Sequence, residues 1–293
     1  MATTILCALV AAVLYGVGAA FEQHQAGGAP ASSAGRLRLL GLLIRQPAWL
    51  LGIAAQLAGF AAHAVALRSG PLTIVQMIVA AELIVSVAIV RVRSGRPLPR
   101  TAWAAGAAVV AGIAAFLALT SCGPARAPGP GHGLSAAGLG AAAAGAAAIA
   151  TAVLGLSAAG RRRALLLATA AGLADAGLAV VTMALAGVSG HGFAAIAGSW
   201  PVYALVAGGF CSLLLTQTAY QAARPMVTLP VIASVTPAAS VVIGIGVLGE
   251  IARLGTGRAI AAGLVVAGTA AALVILARCA PVARPAHWSG CPG

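Results

Sequence analysis

The stretch that most constrains the fold is Pro225–Glu250, an apolar run long enough to cross a lipid bilayer. Pro225 begins it, where a missing N–H costs no helical hydrogen bond, but Pro230 and Pro237 lie inside it. Each internal proline leaves a backbone carbonyl without its helical donor, and the bilayer interior has no water to replace that donor. We therefore predict a transmembrane helix that is broken at Pro230 and Pro237. Neighbouring helices or nearby hydroxyl groups would take up the freed carbonyls, and the nearby hydroxyls are those of Ser234, Thr236 and Ser240.

A weaker copy of this stretch occurs in the first half of the chain. The aligned positions are Pro71 with Pro225, Ile78 with Ile232, Glu82 with Thr236, Ser86 with Ser240 and Gly95 with Gly249. Further along, Val109–Gly112 matches Val265–Gly268. A hydrophobic pattern that recurs in both halves predicts an internally duplicated membrane protein.

Composition indicates a membrane protein, because 61% of the residues are hydrophobic and only 7% are charged. A soluble globular domain would have about half its residues apolar and a quarter charged. The fold class that we predict is therefore an all-α polytopic membrane protein with nine transmembrane helices. The predicted helices cover about 1–21, 48–67, 71–90, 102–121, 134–157, 164–186, 199–222, 225–248 and 257–278.

These helices fall into two membrane repeats joined by a linker and one extra helix. The ranges are 1–121 for the first repeat, 122–133 for a Gly/Pro-rich linker, 134–157 for a bridging helix, 158–278 for the second repeat and 279–293 for a cytoplasmic tail. The alanines and glycines of the bridging helix predict close packing against its neighbours. The basic segment 36–46 has too few apolar residues to span, so we expect it to lie along the membrane surface.

Arginine placement predicts the orientation. The chain has 17 basic residues, all of them arginine, and an N-terminus outside the cell leaves only four of them outside: Arg68, Arg126, Arg253 and Arg258. The positive-inside rule therefore favours an N-out, C-in topology. The two four-helix repeats then insert in opposite directions on either side of the bridging helix, which is the arrangement typical of alternating-access transporters. The net charge of +13 thus has a topological explanation and does not predict a nucleic-acid partner.

Several motifs resemble a known family. The second half, from Gln217–Pro225 through Val235–Pro237 to Gly249–Glu250, resembles the second repeat of the drug/metabolite transporter superfamily, of EamA-like type. The first half is similar to the NIPA-like magnesium transporter branch, with a basic connection after helix one and a short Ser69–Pro71 turn. This resemblance implies a small metabolite, a drug-like molecule or a divalent cation as the substrate.

Two positions depart from the family pattern. Glu82 stands next to the place where the first repeat would carry its mid-helix proline, and Arg96 replaces the glutamate expected opposite Glu250. Superfamily membership by itself does not choose among substrates.

The chain has four acidic residues, and two of them are the main candidates for function. Glu82 and Asp175 lie near the middle of their apolar runs, where a charge costs at least about 2.5–3.5 kcal/mol, so each should face the bundle interior or a cavity. There they would bind a cation or a proton during transport. Alternatively, each is a protonated carboxyl that ties helices together. Glu22 and Glu250 lie at helix ends, where we expect a solvated or interfacial role.

Other polar residues could complete a binding site. Glu82 and Ser86 lie one turn apart, and the repeat gives Thr236 and Ser240 equivalent positions, so the two pairs would face a central site. The lesser candidates are Tyr15, which would lie opposite Asp175, and Gln56, His63, Gln76 and Gln217. Three tryptophans near helix starts are expected to be interfacial anchors: Trp49, Trp103 and Trp200.

Enzyme and metal-centre interpretations are disfavoured. An intramembrane aspartyl protease needs two aspartates and the chain has one, and the pair Ser189 and His191 lies in a loop rather than on facing helices. The five cysteines have no CxxC pair or metal-ligand spacing, and no P-loop, acid-paired GxGxxG or HExxH motif occurs. We therefore predict no enzyme activity, no resident metal and no cofactor.

The sequence as a whole predicts a secondary transporter of a small solute, coupled to protons or another cation, in the inner (plasma) membrane. One alternative is a divalent-cation permease. The small number of acids disfavours it, because a dehydrated magnesium ion ordinarily needs more carboxylate or carbonyl oxygens than this chain's four acids would provide. The other alternative is a non-transporting scaffold or partner subunit, for which the Ala/Gly helix faces are suited; they would also suit a homodimer.

Overall fold

The chain is a bundle of α-helices in the computed structural model, which describes residues 2–26, 37–94, 99–120, 133–188, 190, 192–222, 225–249 and 256–278. The helices are α1 Ala2–Ala26, α2 Leu37–Leu43, α3 Pro47–Ser69, α4 Leu72–Val79, α5 Glu82–Ser94, α6 Arg100–Thr120, α7 Gly133–Leu156, α8 Gly160–Val188, α9 Phe193–Ala197, α10 Trp200–Ala222, α11 Pro225–Gly246 and α12 Thr256–Arg278. None of the described residues lies in a β-strand.

The predicted number of membrane spans is confirmed over the described ranges. Nine spans there are long and apolar enough to cross a bilayer, with α4 and α5 together forming the single span Leu72–Arg93. Lengths and hydropathies of this kind are those of a multi-pass membrane protein. The remaining two helices, α2 and α9, are too short to span.

Some sequence predictions fall on parts of the chain that the structure does not describe. Nearly all of the linker 122–133, the tail 279–293 and Glu250 lie outside the described residues. Helix α2 occupies most of the segment 36–46, and its place at the membrane surface stays a prediction.

Helices α1 and α8 lie at the centre of the bundle. Helix α1 packs against α3 and against both α4 and α5, whereas α8 packs against α7, α10 and α11. The bridging helix α7 approaches its neighbours closely, as its small residues predict: a Cβ on Gly140 would lie 2.7 Å from Ile243 Cγ2, and one on Gly177 would lie 3.2 Å from Ala144 Cβ. Small residues thus set the distances between the inner helices.

The broken helix is not where the sequence predicts it. Helix α11 continues from Pro225 to Gly246 with Pro230 and Pro237 inside it, so the prediction of a break at these prolines is wrong. Helices α8 and α12 pack against α11 and support it where its own hydrogen bonds are missing. Of the three hydroxyls expected to cap freed carbonyls, that of Thr236 instead donates to the Gly172 carbonyl of α8, at 3.2 Å.

The third span, predicted as one helix over 71–90, is interrupted at Ala80–Ala81. The Ala80 N–H donates to the Gln76 carbonyl at 3.1 Å, but the Ala81 N–H donates to Ile78 at 3.0 Å and the Ile84 N–H to Ala81 at 2.9 Å. These tighter turns end α4 and start α5. The interruption contains no glycine or proline.

Two glycines, one in each half of the chain, allow close helix crossings. A Cβ on Gly16 of α1 would lie 2.5 Å from the Glu82 carbonyl oxygen and 2.6 Å from Val85 Cβ of α5. A Cβ on Gly172 of α8 would lie 2.9 Å from Val235 Cβ of α11. Real Cβ atoms do not approach other atoms this closely. The contact at Gly16 is with backbone, which cannot rotate away, whereas that at Gly172 is with the Val235 side chain.

Candidate functional site

Glu82 is placed by the interruption of the third span. It is the first residue of α5, partly buried, and directly follows the Ala80–Ala81 turn. The start of a helix carries free N–H groups and a partial positive charge, which favours a carboxylate there. A discontinuous helix inside the membrane is a feature that transporters use to hold ions and substrates.

Asp175 lies on α8 in the same interior region. The Ser212 hydroxyl of α10 donates a short hydrogen bond to Asp175 Oδ1. The carboxyl groups of Asp175 and Glu82 are near enough to interact electrostatically. The charges of Glu82 and Asp175, the two acids that the sequence singles out, thus affect each other, and the structure adds Ser212 as a partner of Asp175.

A second polar group joins α1, α3 and α4. Tyr15 Oη and His63 Nδ1 are 3.2 Å apart, with the two rings edge to face at a centroid distance of 5.9 Å. Gln76 Nε2 lies 3.4 Å from His63 Nε2. If the Gln76 amide donates to Nε2, the neutral ring carries its proton on Nδ1 and donates it to Tyr15, which leaves the Tyr15 hydroxyl proton for another acceptor.

Tyr15 links this group to the acids. It lies within range of the charges of Glu82 and Asp175. The sequence prediction that Tyr15 lies opposite Asp175 stays a prediction. His63 is buried with both ring nitrogens partnered, as expected for a histidine that packs between helices.

A third polar group lies near the C-terminal end of α1 and corrects two predictions. Glu22 is only 2% exposed and Trp49 only 5%, so neither is the solvated or interfacial residue that its position near a helix end suggests. Gln217 of α10 joins them: its Nε2 donates a short hydrogen bond to Glu22 Oε2, and the Trp49 indole N–H donates to Gln217 Oε1 at 3.4 Å. Helices α3 and α10 pack against α1 and bury Glu22 and Trp49, although both residues lie near helix ends in the sequence.

The predicted hydroxyl pairs are only partly assembled. Ser86 and Ser240 are fully buried, and their hydroxyls have no hydrogen-bond partner among the described residues. The Thr236 hydroxyl donates to the Gly172 carbonyl, and that the two pairs face a central site stays a prediction. Trp103 and Trp200 are exposed, at 61% and 39%, unlike Trp49.

A small cavity lies between α4, α11 and α12. Its walls include Ala80 at the interruption, Ser234 and Pro237 of α11, and Thr269 of α12. It has room for about one water molecule. The buried Ser234 hydroxyl, which lacks a partner in the described part of the chain, is a polar group that such a water could bind.

His24 lies beyond the end of the first span and is partly exposed. Burial lowers the pKa of its imidazole below the usual 6.5, and the positive charge of Arg93 lowers it further. The Arg93 guanidinium also stacks over the Phe21 ring at 5.1 Å, which places α5's basic end beside this end of α1.

Over the same described ranges, no group of three or more His, Cys, Asp or Glu side chains is arranged to hold a metal ion. The acids there are Glu22, Glu82 and Asp175, and the charge of Asp175 affects both of the others. None of the protein-family models, curated proteins or solved structures with which the chain was compared matches it.

Proposed function

We propose that this chain is a secondary transporter of a small solute, coupled to protons or another cation. The observation that carries the proposal is Glu82, an acid at the start of a half-helix within the third span, close enough to Asp175 for their charges to interact. A structural tie between helices needs neither an interrupted span nor a second acid. An exchangeable cation needs both a carboxyl that changes charge and backbone that can rearrange around it.

The coupling follows from the cost of charge in the bilayer. An ionised carboxylate at mid-membrane costs at least about 2.5–3.5 kcal/mol unless water, a cation or fixed dipoles compensate it. Glu82 therefore favours one conformation when ionised and another when neutralised by a proton or cation. Such a difference shifts the populations of the two conformations, and it is what links the movement of a cation to that of a solute.

The fold we propose for this activity is a pair of inverted repeats. The crossing of α1 over α5 at Gly16 and that of α8 over α11 at Gly172 support it, because Glu82 and Thr236 are aligned positions of the duplicated sequence. Arginine placement supports an N-out, C-in orientation in the inner membrane. The sequence resemblance supports the drug/metabolite transporter superfamily as the family.

The test is transport by purified protein in liposomes that carry a pH gradient. Glu82→Gln and Asp175→Asn keep size and most hydrogen-bonding capacity but cannot change charge, so each should abolish or strongly reduce gradient-driven flux across a panel of metabolites, amines and drug-like cations. Arg258→Gln, on the exposed start of α12, is the matched control that also alters one formal charge and should retain flux.

Three results would contradict the proposal. If the acid variants lose stability or assembly and the wild type moves no solute, a scaffold explains the chain better. If flux occurs without dependence on the pH or cation gradient, the coupling is wrong. If flux is limited to divalent cations and survives both acid substitutions, a permease of another mechanism is indicated.

A further inference from the structure

Glu22 forms a buried acidic site of its own, apart from Glu82 and Asp175. Its side chain lies against α3, where a Cβ on Gly52 would be 3.0 Å from Glu22 Cγ. The Gln56 side chain of α3 lies beside its carboxyl group. Gln217 of α10 reaches the same carboxyl from the other side and is itself fully buried. Three helices thus enclose one carboxyl.

The chemistry of Trp49 fixes which way Gln217 points. An indole N–H can only donate, so the Gln217 atom that faces Trp49 must be the amide oxygen. The Gln217 NH₂ group is then directed at Glu22 Oε2, which must accept. Trp49 and Gln217 are positioning residues, and together they decide which oxygen of Glu22 is occupied.

The other oxygen of Glu22 is left open. Oε1 is buried and has no hydrogen-bond partner among the described residues. A buried, unpartnered carboxyl oxygen is costly unless it carries a proton or meets a cation. The structure therefore contains an oriented carboxyl whose Oε2 is held by Gln217. The Gln56 amide lies close enough to donate to the same carboxyl group, and Oε1 has no hydrogen bond of normal geometry.

Charged and titratable groups surround this site from several helices. Tyr220 of α10 lies one turn from Gln217, within range of the charges of all three acids, and the charge of Asp175 on α8 reaches Glu22. Arg93 of α5 lies over the Phe21 ring next to it, whereas α3 presents the uncharged Trp49 and Gln56. The acids at the two sites therefore influence each other through the bundle interior.

We infer that Glu22 is a second proton-binding site, in which Oε1 takes a proton from water while Gln217 holds Oε2. A metal cation would need about six oxygen ligands, and the neighbours described here offer one carboxyl and one side-chain amide. The proton is taken up from and returned to water, so no other reactant is required. This site does not depend on the transport proposal, because its protonation can be measured without any substrate.

The test is infrared titration of the full chain in lipid nanodiscs. The C=O stretching band of a protonated carboxylic acid reports each buried acid as pH is changed. Glu22→Gln should remove one titrating band and leave the bands lost in Glu82→Gln and in Asp175→Asn. Gln217→Leu should keep the Glu22 band but move its midpoint by about one pH unit, since a donated hydrogen bond distinguishes the two charge states.

Coupling between the sites supplies a second readout. Asp175→Asn should shift the midpoint of the Glu22 band, and Glu22→Gln should shift that of Asp175 by an equal amount, because linkage is reciprocal. Trp49→Phe should shift the Glu22 midpoint in the same direction as Gln217→Leu, and Trp103→Phe, at an exposed tryptophan, should not.

The inference fails if the Glu22→Gln difference spectrum shows no carboxyl band that titrates while the protein stays folded. It also fails if the midpoint of that band depends on sodium or potassium concentration at constant pH, which would indicate a metal-cation site. Loss of transport in Glu82→Gln together with an intact Glu22 band would leave this inference standing, whatever becomes of the transport proposal.

Discussion

Replacing Gly16 by alanine tests the crossing that positions the candidate site. The added methyl group would lie 2.5 Å from the Glu82 carbonyl oxygen, 2.6 Å from Val85 Cβ and 3.0 Å from Val85 Cγ1. The Glu82 carbonyl is backbone and cannot rotate out of the way. Helix α5 must therefore move away from α1, and Glu82 moves with it.

Two effects oppose each other in this substitution. Alanine is a better helix former than glycine by about 0.5–1 kcal/mol. Overpacking of a closely packed contact costs about 1–3 kcal/mol. Because one of the contacts is with backbone, we expect the upper part of that range, which gives a net destabilisation of about 1–2 kcal/mol.

The measurement is the fraction of detergent-solubilised protein that remains monodisperse on size-exclusion chromatography after heating. Gly106→Ala is the matched control, since a Cβ there meets nothing within 4 Å and only the gain in helix propensity remains. We expect Gly16→Ala to lower thermal stability, and we expect its transport activity to fall even at temperatures where the variant stays folded. Gly106→Ala should keep or gain stability. Equal melting of the two variants would refute the close crossing at the interruption.

Further substitutions probe three other contacts. Gly112→Ala places a methyl group against the Thr269 hydroxyl and should cost about 1–3 kcal/mol, and Thr269→Ala should restore part of that loss in the double variant, as heat denaturation will show. Thr236→Val removes a hydrogen bond between helices and should cost about 0.6–1.5 kcal/mol in the same assay. The ring of His24 should titrate below pH 6.5 by NMR, and Arg93→Gln should raise its pKa towards that value. As pH falls through this window the unfolded chain binds a proton that the folded chain does not, so stability should fall, and less so in His24→Gln.

Each of these predictions has its own control or contrary result. Additive effects of the two changes at the α6–α12 contact would mean that the residues do not touch. Thr151→Val, which removes an exposed hydroxyl bonded to its own helix, should cost less than Thr236→Val. A His24 midpoint at or above 6.5 would contradict its burial.

The lengths of the apolar runs and the residues that bound them were sufficient to predict the nine spans. Arginine, proline and glycine bound the apolar runs, and the structure begins α3 at Pro47, α6 at Arg100 and α11 at Pro225. The sequence also singles out Glu82 and Asp175, because an acid in an apolar run has few tolerable environments, and their role stays a prediction. Both inferences depend on local features that the sequence shows directly.

The interruption of the third span and the burial of Glu22 were not predictable in this way. Pro237 carries the strongest local signal for a break, yet packing keeps α11 continuous. Ala80–Ala81 carries no such signal, because alanine is the best helix former. Glu22 and Trp49 lie near helix ends in the sequence, and only the arrangement of α3 and α10 around α1 removes them from water.

An interruption made of alanines has a consequence for how the protein is built. Nothing in the segment 71–94 prevents one uninterrupted rod, so we expect the newly inserted third span to enter the bilayer in that form, with Glu82 facing acyl chains. We expect the packing of Gly16 against the Glu82 backbone to split this helix and withdraw the acid from lipid. On that expectation, the candidate site forms only once the first and third spans have paired.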